Sequence, residues 1–303
     1  MASESQSSRQ GAVINYSSYH HWYQCKLDNS SSTNLEQWAV NNKERVTSLI
    51  ITPGSEGGHY SLVPCDELIL YTRKSFNAVV HMNNDKLTLR GRYSARNFLI
   101  DASHSVRIGD VEEGSLQEYT GDRDKKSDYQ GFVKMVNKEL FHGKGKPDTI
   151  TQWLALLLEA KVGCELLQHH FALMEGRHAA EVLMSLNDLL LDLEVSDYPA
   201  YKQVISDLAK YKGWQKKCLQ MTCFLNDTFL SKDEAGRFRS TYSDDVPGLL
   251  KLIRNCRQHT ARSEEELFGY IVGHLCPNFM GDFQHAMHRA GYLKNLKLQY
   301  VMG

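Results

Sequence analysis

Three polar side chains near the C-terminus raise the question of chemistry on a phosphate. Arg254, Asn255 and His259 lie within six residues. Arginine can bind phosphate oxygens through paired, charge-assisted hydrogen bonds. Histidine side chains, whose unperturbed pKa is about 6.5, can transfer protons near neutral pH. The group is therefore either a site for chemistry on a phosphate or the polar end of a buried helix.

The stretch from Leu249 to His259, LLKLIRNCRQH, has the spacing of a helix with one buried face. Asn255 and His259 are four residues apart and share a face of that helix. The adjoining apolar face is expected to anchor the helix and consists of Leu249, Leu252, Ile253 and Cys256. A solvated helix end is the alternative interpretation, because Arg257 and His259 suit the dipole at a helix C-terminus.

Composition restricts the partners and the compartment of the protein. The 303 residues carry a net charge of −1, so no overall field attracts nucleic acid or an anionic membrane, and any RNA-binding surface must be local. The first ten residues lack a signal sequence, and no apolar run approaches the roughly 18 residues of a membrane span. We expect a cytoplasmic protein, with the nucleus as the alternative and no membrane partner.

Cysteines and paired histidines do not form a recognisable metal pattern. The seven cysteines lack CxxC spacing and are expected to be free thiols. The pairs His169-His170 and His285 with His288 have no acidic or thiolate partners at suitable spacing. We expect these histidines to be surface or partly buried side chains.

The order of predicted elements divides the chain into a mixed first half and a helical second half. Residues 1–12 are a polar tail, and residues 13–63 are rich in strands and turns, with a hairpin around a Gly/Pro turn. A helix at 66–81, two strands around a turn at 102–105 and a loop at 112–128 follow. Further helices are expected at 160–174, 178–193, 199–229, 245–259, 264–275 and 278–298. This order predicts an α+β fold with a helical extension.

The segment RGRYSARNFLIDASHSVRIGD resembles the catalytic loop of protein kinases. Asn97 and Asp101 match the second half of that pattern, and Asp110 falls where the metal-binding aspartate stands. The resemblance implies that Asn97 and Asp110 occupy the degenerate metal positions of a nucleotide site; the alternative is that they only bond neighbouring loops. Arg92 stands at the position of the catalytic base, and a cationic arginine cannot accept a proton.

The kinase-like part is truncated, because the sequence has no glycine-rich loop and no VAIK strand before it. Further along, GRHAAEVL resembles a helix near the end of kinase domains, with Arg177 as its structural arginine. The resemblance implies a kinase C-lobe remnant, mainly helical with a few short strands. Phosphotransfer activity and residual ATP or magnesium binding are not expected of it.

The stretch LLKLIRNCRQH closely resembles the motif of the kinase-extension nuclease (KEN) domain. That family includes ribonuclease L and the sensor kinase/endoribonucleases of the unfolded-protein response. Arg254, Asn255 and His259 match with the correct spacing, and Gly248 replaces the aspartate that usually opens the motif. The segment PNFMGDFQHAMHRAGYL resembles the closing helix region, and GWQKKCLQMTCFLND resembles the kinase-to-nuclease junction, with Trp214 in its signature.

This second resemblance implies an endoribonuclease that cleaves RNA without a metal or other cofactor, through attack of the 2′-hydroxyl on the adjacent phosphate. His259 would be the general acid, Arg254 and Asn255 would hold the phosphate, and Tyr242 is the candidate for the family's tyrosine. An aspartate would stabilise the first helical turn, so Gly248 predicts a less ordered site.

The implied domains are a disordered tail at 1–12, a pseudokinase at 13–212 and an all-helical KEN domain at 213–303. The kinase-like part would serve as a platform for dimerisation, since the family's nuclease domains act in pairs. The alternative function is a non-catalytic pseudokinase/KEN module. Such a module would bind RNA, or would regulate a full-length kinase/ribonuclease relative as a heterodimer.

Overall fold

The structure is a computed structural model, and the parts of the chain that it describes are residues 33–43, 47–51, 60–112, 114–142, 145–159, 163–221, 224–232, 235–237, 241–259 and 275–296. The predicted tail at 1–12 and the predicted helix at 264–275 lie outside the described residues or at their edge. The described part is mostly helical with a few short antiparallel strands, which agrees with the α+β class. None of its helices is long and apolar enough to cross a bilayer.

The strands within these ranges form three small antiparallel sheets. Their bounds are β1 Thr33–Asn34, β2 Thr47–Ile51, β3 Tyr60–Pro64, β4 Leu87–Thr88, β5 Phe98–Ile100, β6 Val106–Ile108 and β7 Gln117–Glu118. Strand β5 lies between β1 and β6, β2 pairs with β3, and β4 pairs with β7. The β2–β3 pair confirms the hairpin expected before residue 64.

The helices make up most of the described chain. Their bounds are α1 Leu35–Asn41, α2 Asp66–Asn84, α3 Asp122–Met135, α4 Asp148–Leu157, α5 Cys164–Gln168, α6 Gly176–Ser196, α7 Tyr198–Asp207, α8 Trp214–Gln220, α9 Phe224–Phe229, α10 Val246–His259 and α11 Phe279–Arg289. A π-helical turn continues α3 over Val136–Leu140. Short 3-10 turns occupy Ala95–Asn97, Phe171–Leu173, Ala209–Tyr211 and Leu293–Leu296.

Several predicted elements are confirmed. The helix expected at 66–81 is α2, and the two strands expected around the turn at 102–105 are β5 and β6. The carboxylate of Asp101 holds that turn, accepting hydrogen bonds from the backbone N–H groups of Ser103 at 2.8 Å and Ser105 at 3.0 Å. The cysteines that the structure describes form no disulfide bonds; they are Cys65, Cys164, Cys218, Cys256 and Cys276.

Two predicted elements are wrong. The loop expected at 112–128 contains the start of α3, whose first turn carries two acidic residues that suit the positive end of the helix dipole. One of them, Asp124, also accepts a hydrogen bond from the Thr120 N–H at 2.8 Å. The single helix expected at 199–229 is instead α7, a 3-10 turn, α8 and α9, with Gly213 at φ +85° between the turn and α8. A backbone at that φ ends a helix and favours glycine.

An aromatic cluster joins the helices and the central strand of the first half. Phe76 of α2, Phe132 of α3 and Trp153 of α4 lie edge to face, with ring centroids 5.4–6.0 Å apart. Phe98 of β5 packs on Phe132 at 6.1 Å. All four side chains are fully buried. Burial of large aromatic surfaces in these orientations stabilises the packing of the three helices on the sheet.

The loop after β4 is held onto α3 by the buried carboxylate of Asp128. This carboxylate accepts hydrogen bonds from the Asn83 amide at 2.8 Å, the Thr88 hydroxyl at 2.7 Å and the Gly91 N–H at 2.8 Å. Gly91 has φ +71°, and a Cβ there would overlap the backbone of α3. The loop therefore requires both the carboxylate and the glycine.

The last helix, α11, is bound to earlier helices through Asp282. One carboxylate oxygen accepts a hydrogen bond from the Gln152 amide of α4 at 2.8 Å. The other forms an ion pair with Lys210 at 2.6 Å and accepts a hydrogen bond from the Tyr211 hydroxyl. Because Lys210 and Tyr211 belong to the turn before α8, one side chain of α11 fixes two separate segments.

A second polar contact of α11 corrects one expectation about the histidines. The Gln284 side chain accepts a hydrogen bond from the Phe171 N–H at 2.9 Å and donates one to the His169 carbonyl at 2.5 Å. His170 between them is fully buried, so its expected surface or partly buried position is wrong. Burial, together with the nearby His285, lowers the pKa of His170 to about 3. His170 is therefore a neutral interior residue.

Replacing Asp128 by alanine tests the role of its carboxylate. We expect Asp128→Ala to lower the free energy of unfolding by roughly 3 kcal/mol, since three donors lose their buried acceptor. Urea denaturation followed by circular dichroism measures the change. The control is Lys126→Ala, an exposed position of the same helix, which should stay within about 0.5 kcal/mol of the parent. Equal stabilities of the two variants would show that the carboxylate does not hold the loop.

Candidate active site

Helix α10 carries three of the four predicted site residues, and an aspartate caps its first turn. The carboxylate of Asp245, directly before the helix, accepts a hydrogen bond from the Gly248 N–H at 3.0 Å. The same carboxylate accepts the hydroxyl of Ser243. This is the usual geometry of a helix N-cap, in which the side chain satisfies an otherwise unpaired N–H of the first turn.

The expectation that Gly248 makes the site less ordered stays a prediction. In the structure, Asp245 caps the first turn of α10, so this turn does not depend on an aspartate at position 248 for its cap. Gly248 is buried, and a Cβ at this position would overlap the carbonyl oxygen of Ser243. The glycine therefore allows the loop before the helix to lie directly on its first turn.

The predicted apolar face of α10 is buried, and its members Leu249, Leu252, Ile253 and Cys256 are fully inaccessible. Leu250, which was not predicted for this face, is also buried and 1% exposed. Helix α9 packs against α10, and Leu225 of α9 is also fully buried. Burial of this apolar stripe fixes the rotation of α10, and so determines which side chains point outward.

Tyr242 lies beside α10 because three neighbouring side chains hold its loop. Its ring packs against Phe229 of α9 and Trp214 of α8, with centroid distances of 5.6 and 6.4 Å. The Gln215 amide donates a hydrogen bond to the Tyr242 backbone carbonyl at 2.7 Å. The ammonium group of Lys251 lies 5.7 Å from the ring centroid on another side.

The structure brings together two of the predicted site residues directly. The side-chain amide of Asn255 donates a hydrogen bond to the hydroxyl oxygen of Tyr242 at 3.0 Å. A phenol that accepts a hydrogen bond on its oxygen keeps its own O–H available for donation. The pair therefore presents a fixed hydroxyl donor next to the exposed side of α10.

Arg254 is exposed on α10, one turn after the exposed Lys251. These two side chains share a face of the helix, three residues apart, and the Lys251 ammonium group places positive charge beside the Tyr242 ring. His259 is the last residue of α10, one turn after Asn255. The side chain of His259 lies outside what the structure describes, so its role stays a prediction.

Trp214, the predicted junction residue, connects α8 to the loop that carries Tyr242. Its indole N–H donates to the Asp245 carbonyl at 2.9 Å, and the ring is 2% exposed. The Gly213 N–H donates to the Asp244 carbonyl at 3.3 Å. The start of α8 is therefore joined to the residues that cap α10.

Asn97 and Asp110, the two positions marked by the kinase resemblance, lie next to one another. The hydrogen bonds of the Asn97 side chain are to backbone atoms. The Asn97 amide donates to the carbonyls of Gly109 at 3.3 Å and Asp110 at 2.8 Å. Its side-chain oxygen accepts the Ser94 N–H at 2.9 Å. Asp110 is exposed and has φ +50°. These bonds fit the alternative in which Asn97 supports the loops around it.

Arg92 and Arg177, the two arginines marked by the kinase resemblance, are both largely exposed. Arg92, at the position of a catalytic base, directs its guanidinium toward the Ser115 carbonyl at 3.5 Å. Arg177 lies 3.5 Å from Glu181, one turn along the same helix, and its side chain is 79% exposed. An ion pair that is this exposed contributes little to stability. Among the described residues, no group of three His, Cys, Asp or Glu side chains is arranged to hold a metal ion.

Sequence reasoning missed the residues that support the site. Asp245 stands directly before the first residue of α10, and an aspartate in that place is the signal of an N-cap that could have been recognised. Gln215 and Phe229 contact Tyr242 from other helices, and the local sequence gives no signal for such contacts. No protein-family model and no curated protein matches this sequence.

Placing at position 248 the aspartate of the KEN motif should destabilise the start of α10. We expect Gly248→Asp to lower the free energy of unfolding by about 2 kcal/mol, because its Cβ collides with the Ser243 carbonyl. Thermal unfolding measures the change. The comparison variant Asp245→Ala removes the cap and should cost about 1 kcal/mol. A Gly248→Asp protein more stable than the parent would instead support the earlier expectation from the family pattern.

Proposed function

We propose that this protein is a metal-independent endoribonuclease of the KEN type. The observation that carries the proposal is the hydrogen bond between the Asn255 amide and the Tyr242 hydroxyl. Sequence reasoning selected these residues for the same site, although a loop and most of a helix separate them. Their contact, beside the exposed Arg254, supports a common role at one phosphate.

The proposed reaction is a transphosphorylation within the RNA strand. The 2′-oxygen attacks the adjacent phosphorus, its proton passes to solvent, and the bond from phosphorus to the 5′-oxygen breaks. His259 gives a proton to the departing 5′-oxygen, because imidazole is a side chain that can exchange a proton near neutral pH. The products are a 2′,3′-cyclic phosphate and a 5′-hydroxyl.

Three other side chains act on the phosphate itself. Arg254 binds a nonbridging oxygen through charge-assisted hydrogen bonds, which strengthen as negative charge develops. The Tyr242 hydroxyl donates to a second oxygen, since its own oxygen already accepts the Asn255 amide. Asn255 therefore positions the tyrosine for the phosphate.

The kinase-like part would serve as a platform and not as a phosphotransferase. Arg92 stands where a base is required, and the Asn97 amide is already bonded to two backbone carbonyls. Pairing of two such platforms would bring two nuclease domains together, so a homodimer is the proposed active form. A related full-length kinase/ribonuclease could replace one copy in a heterodimer.

Cleavage of a structured stem-loop RNA in the presence of EDTA tests the proposal. We expect products with 2′,3′-cyclic phosphate ends, and a rate that falls about 100-fold or more in His259→Ala and Arg254→Ala. The matched control is Gln258→Ala, an exposed neighbour on the same helix, which should keep the parent rate.

The outcome that counts against an enzyme is equally clear. Without cleavage at concentrations at which the protein is dimeric, the non-catalytic module that binds RNA or regulates a relative becomes the better interpretation. Cleavage that survives both substitutions would come from a contaminating nuclease or from another site.

A double-mutant cycle tests the contact between Tyr242 and Asn255. We expect Tyr242→Phe and Asn255→Ala each to slow cleavage about tenfold, and the double variant to be only slightly slower than either, because both remove one shared unit. Single-turnover kinetics give the rates. Tyr242→Phe keeps the ring packing on Phe229, so its melting temperature should match that of the parent. Rate losses that multiply would show that the two residues act independently.

A further inference from the structure

Arg73 of α2 is a buried cation without a bonded partner in the part of the chain that the structure describes. Only 8% of the residue is exposed, yet its guanidinium donates no hydrogen bond and forms no ion pair there. Its nitrogens still reach solvent, because none of them is among the polar atoms that are sealed from solvent without a bond. A buried charge is ordinarily paired, so this guanidinium has N–H donors to offer an anion from outside.

The packing of α2 shows which segment this guanidinium lies against. Helix α2 packs against α5 and against the 3-10 turn that follows α5. One turn after Arg73, on the same face of α2, the Asn77 side chain accepts a hydrogen bond from the Gln168 amide of α5 at 3.2 Å. Arg73 therefore lies against the segment that runs from the end of α5 toward α6.

Two charge interactions agree with this position. Burial lowers the pKa of Arg73, and the carboxylate of Glu175 acts in the opposite direction. Burial also lowers the pKa of His169, the carboxylate of Glu165 raises it, and the charge of Arg73 lowers it further. The guanidinium is thus close to both His169, which follows α5, and Glu175, which precedes α6.

The N-terminus of α6 lies at the same place. Glu175 is the N-cap residue of this 21-residue helix, but its side chain accepts no capping hydrogen bond. The first turn contains no acidic residue and begins with Gly176, Arg177 and His178. Its N–H groups and the positive end of the helix dipole favour an anion. The buried guanidinium beside this turn is a second, independent source of donors.

We propose that Arg73 and the first turn of α6 together bind a small oxoanion, which is a phosphate or a carboxylate group. The guanidinium donates paired hydrogen bonds to two oxygens of the anion, and N–H groups at the start of α6 donate to its outer side. The carboxylate of Glu175 repels the anion and limits its affinity. The group is either a free ion or part of a small molecule.

Isothermal titration calorimetry of the full chain at constant ionic strength tests this site. The probes are inorganic phosphate and acetate, and chloride provides the same charge without a pair of oxygens. Phenyl phosphate carries the phosphate group on a larger molecule. The variants are Arg73→Met, which removes the charge, Arg73→Lys, which keeps the charge without the fork of donors, and Glu175→Gln. The control is Arg123→Met, an exposed arginine of α3.

We expect phosphate or acetate to bind saturably, and chloride not to bind. Arg73→Met should weaken the binding about tenfold or more, and Arg73→Lys should lie between this variant and the parent. Glu175→Gln should tighten the binding roughly threefold, because a repelling charge is removed. Arg123→Met should bind like the parent. Binding of phenyl phosphate identifies a site that admits a small molecule, and binding of phosphate or acetate alone identifies a site for the free ion.

Three results would overturn the proposal. They are the absence of saturable binding for phosphate and acetate at millimolar concentration, binding that is unchanged in Arg73→Met, and a loss in Arg123→Met as large as that in Arg73→Met. Melting curves show whether each variant is folded, and Arg73→Lys serves if Arg73→Met is not. Because the probes are not RNA, neither outcome bears on the proposed ribonuclease.

Discussion

The carboxylate of Asp282 joins three segments that are far apart in the sequence. It receives the Gln152 amide from α4, together with Lys210 and the Tyr211 hydroxyl from the turn before α8. A half-buried carboxylate with an ion pair and two neutral hydrogen-bond donors is well satisfied. Removing Lys210 would leave the carboxylate without its counter-charge, and removing either neutral donor would leave it with one hydrogen bond fewer. The position of α11 relative to the earlier helices depends on this carboxylate, and so does the position of the segment from Leu275 to Asn278 that leads into α11.

The candidate active site is built by a chain of short contacts that begins at the same turn. Trp214 follows that turn, bonds to the Asp245 carbonyl and packs on Tyr242. Asp245 caps α10, and α10 carries Asn255, which closes the chain by its bond to the Tyr242 hydroxyl. Trp214 and Asp245 have no contact with substrate in the proposed reaction, and they hold the loop and the helix that carry Tyr242 and Asn255.

The sequence predicted the parts of this arrangement that depend on local periodicity. The buried stripe of α10 repeats at helical spacing, and its members are buried as expected. The pairing of β2 with β3 and the turn between β5 and β6 also follow from short patterns of turn residues and apolar strands. The contact between Tyr242 and Asn255 could be anticipated only because a family pattern placed a tyrosine in the preceding loop.

The parts that could not be predicted depend on contacts between distant segments. Gly248 was interpreted as a missing aspartate, whereas the structure places Ser243 against it and gives the capping role to Asp245. His170 belongs to a polar pair in the sequence, yet it lies in the interior because Gln284 of α11 bonds to the residues on both sides of it. The acidic, polar segment up to residue 128 suggested a loop. The structure shows the start of α3 there, with Asp128 accepting hydrogen bonds from buried donors elsewhere in the chain. The local sequence gives no sign of these donors.

The polar contacts of α11 have a consequence for modularity. The predicted boundary at residue 212 separates Asp282 and Gln284 from Gln152, Tyr211 and Phe171, all of which they bind. A fragment that began at 213 would present a carboxylate, an amide and the apolar face of Phe279 and Phe283 to water without their counterparts. The helical extension is therefore not a separate structural unit that could be moved to another protein by itself. Any rearrangement that moved it to another chain would have to carry α4 and the turn before α8 with it.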